Sequence, residues 1–368
     1  MPTATSRPRR SRAGLLLFIA LLGLAAWEVV GRVALPGSVT PLSFAGAAWS
    51  VASGHAASLG GAPPPTDEQM QRIAYRPLPY VNYGLKPDWT RTDPKHPDAP
   101  VKSSNSLGFR GREVQSPKPA GRYRIACLGG STTYDDAVGD ADTYPVKLEQ
   151  FLRAARPQLD IEVVNCGVPS YTSAESLANL SFRVLDLQPD AIVLYEGIND
   201  WRVRPYRNFD GAYFHYRKVW DGSTRSWQAG GDGEMAGGIN PLIQYPMPEN
   251  NGDGAENARR NGPWAFRRNL QSMCGIAKAH GLKVVLVSNV IDDNNEYVRK
   301  EPSFVRGIAE HNGVVRDVAA EQGALFVDLA AVYPRDEQLF VDPVHNNPRG
   351  SEIKARLIAD ALVKDLLP

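Results

Sequence analysis

An α/β fold, with helices on both faces of a five-stranded, mostly parallel sheet, follows from three features of the sequence. Short apolar runs alternate with segments of helical periodicity from Arg124 to the end of the chain. The runs are apolar throughout instead of alternating, as strands buried on both faces require. The connections are long enough for crossover helices, and right-handed crossovers produce a three-layer α/β/α sandwich. At 368 residues the chain holds one large domain of this kind with appendages.

The elements follow in order. Arg124-Ile125-Ala126-Cys127-Leu128 reads as the first buried strand, ending at Gly129-Gly130-Ser131-Thr132. Tyr144 to Ala155 has helical spacing, with Val146, Leu148, Phe151 and Leu152 on its apolar face. Ile161 to Asn165 is the second strand, and Ser173 to Leu187 a helix with Ser173 as candidate N-cap. Ala191 to Tyr195 is the third strand, Pro263 to His280 a helix, and Lys283 to Val287 the fourth strand. Pro302 to Glu321 is helical, Ala324 to Val327 is the fifth strand, and the last helix runs from Pro348 to Leu366 with Asn347 as its cap.

Four further stretches lie outside this rhythm. Residues 1–12 carry Arg7, Arg9, Arg10 and Arg12 and form a cytoplasmic basic segment ahead of an apolar run at 13–35. That order predicts export of the remainder. Two readings are open: an uncleaved single-pass anchor at the cell membrane, or a signal peptide that releases a secreted or periplasmic protein. Residues 36–104 are rich in proline and show little regular structure, with Tyr75 to Trp89 packing on the main domain. The domain proper spans 105–368, and Asn105 to Gly111 forms a turn-rich lead-in. An insert at 201–262, with Trp201, Trp220, Trp227, His215 and many glycines, is either a lid or substrate-binding insert on the ligand side of the sheet or a surface loop.

Composition narrows the function. A net charge of +1 gives no reason to expect nucleic acid as a partner. Cys127, Cys166 and Cys274 do not form a disulfide framework, although a Cys127–Cys166 bridge is left open. No histidine–cysteine cluster has metal-ligand spacing, no phosphate loop or dinucleotide fingerprint stands after a strand, and no cofactor is expected. A Gly-x-Ser-x-Gly elbow is missing, which disfavours the ordinary α/β-hydrolase fold.

Three peptides follow the first three predicted strands at their carboxyl ends, where such folds hold ligands, and a fourth lies between the fifth strand and the last helix. They are Gly130-Ser131, Asn165-Cys166-Gly167, Gly197-Ile198-Asn199-Asp200 and Asp342-Pro343-Val344-His345. Each has an ordinary structural reading alone: a helix cap for Ser131, turn residues for Gly167 and Asn199-Asp200, a packed surface histidine for His345. Together and in this order they resemble the SGNH (GDSL-type) hydrolase superfamily of serine esterases and acyl-group enzymes, over residues 105–368. The first block departs from that pattern, with Gly-Gly-Ser-Thr in place of Gly-Asp-Ser-Leu.

The resemblance implies a flavodoxin-like sandwich and a serine esterase acting on a small-molecule or glycan ester. It makes Ser131 the nucleophile, His345 the general base and acid, and Asp342 the residue that orients the imidazole. It assigns the oxyanion hole to the Ser131 N–H, the Gly167 N–H and the Asn199 amide. An O-acyltransferase working on a glycan would use the same residues, and a non-catalytic carbohydrate-binding protein would use the same crevice. The oligomeric state is not legible.

Overall fold

A short antiparallel hairpin, Tyr75–Leu78 (β1) and Asn82–Leu85 (β2), precedes the main sheet in the computed structural model. The structure describes residues 74–78, 80–91, 100–213 and 253–368, together with Leu21, Gly23 and Leu24. The main sheet comprises Arg122–Gly129 (β3), Asp160–Asn165 (β4), Ala191–Tyr195 (β5), Lys283–Val287 (β6) and Leu325–Val327 (β7). All its strands are parallel, in the order β4-β3-β5-β6-β7. The chain winds outward from β3 to β4, then returns past β3 to β5 and continues the other way. The winding therefore reverses between β3 and β5, and the crevice at that reversal is the ligand site of open α/β sheets.

Helices Ser131–Tyr134 (α1), Tyr144–Ala155 (α2), Ser173–Asn179 (α3) and Ile198–Arg202 (α4) follow β3, β4 and β5. Gly254–Arg260 (α5) and Trp264–Ala279 (α6) lead into β6, and Glu296–Lys300 (α7) and Pro302–Gln322 (α8) into β7. Leu329–Val332 (α9) and Pro348–Asp365 (α10) complete the chain. Successive residues of a strand face opposite ways. Ile125 and Cys127 thus enter one core with Leu148, Leu152, Ile358 and Leu362, beneath α2 and α10. Ala126 and Leu128 enter the other with Leu270, Met273, Val315 and Val318, beneath α6 and α8. Burying both faces is what the unbroken apolar runs foretold.

Several expectations need correction. The helix from Ser173 does not run evenly to Leu187; it passes through a π turn at Leu180–Val184 and a 3-10 turn at Leu185–Leu187. Its cap is Thr172, not Ser173: Thr172 and Glu175 form a reciprocal capping box, while the Ser173 hydroxyl is drawn to Asp200. The proline-rich stretch contains β1 and β2, which periodicity cannot reveal because Pro77 and Pro79 interrupt it. The hairpin packs on the domain through Tyr83, whose hydroxyl donates to Pro169 O at 2.7 Å, and through the Tyr171 hydroxyl, which donates to Tyr83 O.

All three cysteines are free and buried. Cys127 and Cys166 sit in opposite cores, which excludes the bridge left open by the sequence. Residues 201–213 and 253–262 belong to the described part of the insert, where Val203 and Tyr213 pack with Ala265. The remainder, with His215, Trp220 and Trp227, lies outside the described residues. So do residues 1–12 and the apolar run at 13–35, apart from three helical positions. Among the described residues no helix is long and apolar enough to cross a membrane.

Candidate active site

Ser131 begins α1 directly after β3, at the carboxyl edge of the sheet. The first N–H groups of a helix have no partner within it, so the Ser131 N–H is available to a ligand. Gly130 precedes it because a side chain would not fit. A Cβ there would stand 2.8 Å from Asn199 Nδ2 and 3.0 Å from Tyr171 O. The same crowding fixes the Asn199 amide next to the serine turn.

Asp342 and His345 lie on a tight loop between β7 and α10. Val341 N donates to His345 O, and Phe340 and Asn346 form an antiparallel bridge, so the loop closes on itself. Asp342 Oδ1 accepts from the backbone N–H groups of Val344 and His345, at 2.9 and 2.8 Å. Its other oxygen, Oδ2, lies 2.6 Å from His345 Nδ1, and His345 Nε2 lies 2.8 Å from Ser131 Oγ. A carboxylate only accepts, so Nδ1 carries the proton and Nε2 accepts from the serine hydroxyl. Burial pushes the Asp342 carboxyl up, but hydrogen bonds from the His345 ring and the loop N–H groups outweigh it and hold the group below its ordinary value. The structure thus joins three residues separated by 214 positions into one hydrogen-bonded chain.

Asn199 is carried by α4, one residue beyond Ile198. One amide hydrogen goes to Tyr171 O at 2.8 Å, leaving the second for a ligand. Gly167 is held against the serine turn from behind. Val168 N donates to Gly129 O, which extends the β3–β4 pairing and draws Gly167 against α1. A Cβ on Gly167 would overlap the backbone of Thr133 and Tyr134, so its close contact with α1 demands glycine here. Its N–H donates to Asn165 Oδ1 at 3.0 Å.

Behind these residues stands a buried layer that sequence reasoning missed. Asp200 accepts from Ser173 N at 3.0 Å, from the Ser173 hydroxyl and from Tyr213 Oη at 3.0 Å, tying α4 to the start of α3. Burial raises its carboxyl to about 6 against these hydrogen bonds. Glu196, also buried, is raised well above its ordinary value by burial and by Asp200. His311 is wholly buried and neutral: burial and the Arg204 charge lower it to about 3. Its Nδ1–H donates to Gly197 O at 2.8 Å, and Nε2 accepts from Arg204 Nη1 at 3.3 Å.

Two buried cations hold the serine turn itself. The Arg110 guanidinium donates to the carbonyls of Tyr134, Asp135 and Val138 and pairs with Asp140 at 2.9 Å. Lys354, from α10, donates to Thr132 O at 3.2 Å and stands 3.8 Å from Asp135, over the rings of Tyr144 and Tyr195. Burial lowers its ammonium, and Asp135 partly restores it. Nothing local in the sequence marks these partners, which lie far apart along the chain.

A doubly wound sheet with a serine, a histidine and an aspartate linked at its reversal point defines the class of α/β hydrolytic enzymes. The model of the GDSL-like Lipase/Acylhydrolase family matches residues 127–353. The chain belongs to that family and is a carboxylic ester hydrolase. No curated protein matches it. Among solved structures it is similar to LAE5, an alpha/beta hydrolase enzyme from the metagenome of Lake Arreo, at 19% identity and a TM-score of 0.44 over 65% of this chain and 94% of that one. It is similar to TesA at 20% identity and a TM-score of 0.44, over 66% and 99%. It is also similar to Axe2, an acetylxylan esterase from Geobacillus stearothermophilus, at 19% identity and a TM-score of 0.43, over 68% and 96%.

Proposed function

We propose that the protein hydrolyses an O-acyl or O-acetyl ester of a small molecule or glycan through an acyl-enzyme on Ser131. The observation that carries this reading is the continuous hydrogen-bonded chain from Asp342 through His345 to Ser131 Oγ. His345 Nε2 takes the hydroxyl proton as Oγ attacks the ester carbonyl. The carbonyl π electrons move to oxygen, and the resulting anion is met by the Ser131 N–H and the free Asn199 amide hydrogen. The Gly167 N–H, which donates to Asn165 Oδ1 in the resting site, is the proposed third donor to that oxygen. Collapse expels the alcohol, which receives the proton from His345. Water then attacks the acyl-serine, giving its proton to His345, and Oγ leaves with that proton. Asp342 stabilises the imidazolium at each stage without becoming protonated.

A fluorophosphonate probe tests this directly, since only an activated serine reacts. Wild-type protein should be labelled at Ser131 and should hydrolyse aryl acetates. Ser131→Ala should do neither, and a wild type that is unlabelled and inert would refute the nucleophile assignment.

The basic residues ahead of the apolar run support an extracytoplasmic catalytic domain, tethered by the N-terminal segment or released from it. Protease added outside spheroplasts should then digest the domain. Protection there, with digestion only after lysis, would overturn the topology.

A further inference from the structure

A cavity of about 450 Å³ opens beside the His345 loop, a size that suits a small organic ligand. Its walls include Trp201, Arg202, Tyr206, Tyr297, Phe304 and His345. Trp201 and Phe304 meet edge to face at 5.0 Å and belong to the apolar cluster of Ile198, Ile308 and Val344, so this wall is anchored in packed structure. Tyr297 on α7 is 60% exposed and presents a free aromatic surface. The cavity therefore offers flat apolar faces of the kind that sugar and benzene rings cover.

Arg202 gives it a charge. It is exposed, and its field acts on the neighbouring Tyr206 phenol. Arg204, two residues on, is by contrast engaged, holding Glu310 at 2.6 Å. Arg202 makes no ion pair or hydrogen bond among the described residues. An exposed guanidinium that lines an aromatic cavity and has no partner among the described residues suits an oxyanion, which it can grip with two parallel N–H groups. Asp342, ionised and in the same wall, limits how much negative charge the cavity accepts. One carboxylate balances Arg202, whereas a phosphate dianion would leave a surplus facing Asp342.

We propose that this cavity binds the alcohol half of the ester, and that Arg202 selects alcohols whose ring carries a carboxylate, such as a uronate or a hydroxy-aryl acid. The choice of the alcohol half rests on the proposed chemistry, because the leaving oxygen collects its proton from His345 and must lie against it.

Binding of a product alcohol to the Ser131→Ala protein tests the selection without relying on turnover. Calorimetric titration of full-length Ser131→Ala with 3-hydroxybenzoate and with its methyl ester should show about tenfold tighter binding of the acid. The preference should vanish in Ser131→Ala/Arg202→Gln and survive in part with Arg202→Lys. Trp201→Ala should weaken both ligands together. Equal binding of acid and ester, or a preference that persists without Arg202, would refute the assignment. Turnover of the two acetates by the wild type is a separate measurement. Its absence would sink the hydrolytic reading while leaving the binding result to judge the cavity.

Discussion

The ring of His311 donates its Nδ1 proton to the carbonyl of Gly197 across 114 residues of sequence, at 2.8 Å. Gly197 caps α4, and α4 carries Asn199. A buried imidazole on α8 thereby fixes the amide beside Ser131 through the backbone, and Arg204 fixes the imidazole. The arrangement works only while the ring is neutral, which links the site to pH.

His311 is lowered to about 3 from an ordinary 6.5. Between those values the unfolded chain binds a proton that the folded one refuses. Its contribution, of the order of a few kcal/mol, is therefore complete above pH 6.5 and eroded as the pH falls toward 3. Asp200, raised to about 6 from 3.8, acts the opposite way: the folded state holds the extra proton, so its contribution declines as the pH rises from 4 to 6. His311→Gln should flatten the fall in melting temperature between pH 7 and pH 5. Asp200→Asn should gain on the wild type as the pH rises through the same range. Melting curves at three pH values decide both, and parallel profiles for wild type and variants would contradict the linkage.

Ser131→Ala, His345→Ala and Asp342→Ala should each cost roughly 10³-fold or more in kcat on an aryl ester, and the losses should not add, because the three act as one unit. Additive losses in the double variants would mean that the hydrogen-bonded chain is not the catalytic one.

Asn199→Ala should cost on the order of 10²–10³-fold in kcat with little change in melting temperature, as expected for one oxyanion donor. Asn199→Asp should be at least as damaging. Its carboxylate would face both the developing anion and the Tyr171 carbonyl that the amide now serves. A variant that turns over normally would move the oxyanion role elsewhere.

Gly167→Ala should destabilise the protein by about 1–3 kcal/mol, the range for forcing a methyl into packed backbone. The methyl would meet Thr133 and Tyr134, so the serine turn should shift and kcat should fall with stability. Unchanged melting with lost activity would instead assign Gly167 to the oxyanion alone.

The five strands and the helices between them were legible because both faces of the sheet are covered, which writes unbroken apolar runs such as Ile125 to Leu128 and Ala191 to Tyr195. The serine, asparagine, aspartate and histidine were legible because each follows such a run or sits in a recognisable block. The hairpin was hidden by Pro77 and Pro79. The π turn after α3 was hidden because its residues keep helical spacing. The supports from His311, Arg204 and Lys354 were illegible for a different reason. A buried polar residue declares itself only through its partner, and these partners lie far away along the chain.

Arg110 lies ahead of the span matched by the family, which begins at Cys127. It nonetheless closes the exit of the serine turn, gathering the carbonyls of Tyr134, Asp135 and Val138 around one cation. Ser103 adds a bond to Asp140, the same carboxylate that Arg110 holds, at 2.6 Å. The serine turn therefore leans on residues that lie ahead of the matched span. A chain shortened to start at Arg122 would keep the whole parallel sheet and every proposed catalytic group. It would leave those three carbonyls, on the turn that follows Ser131, without the cation that gathers them.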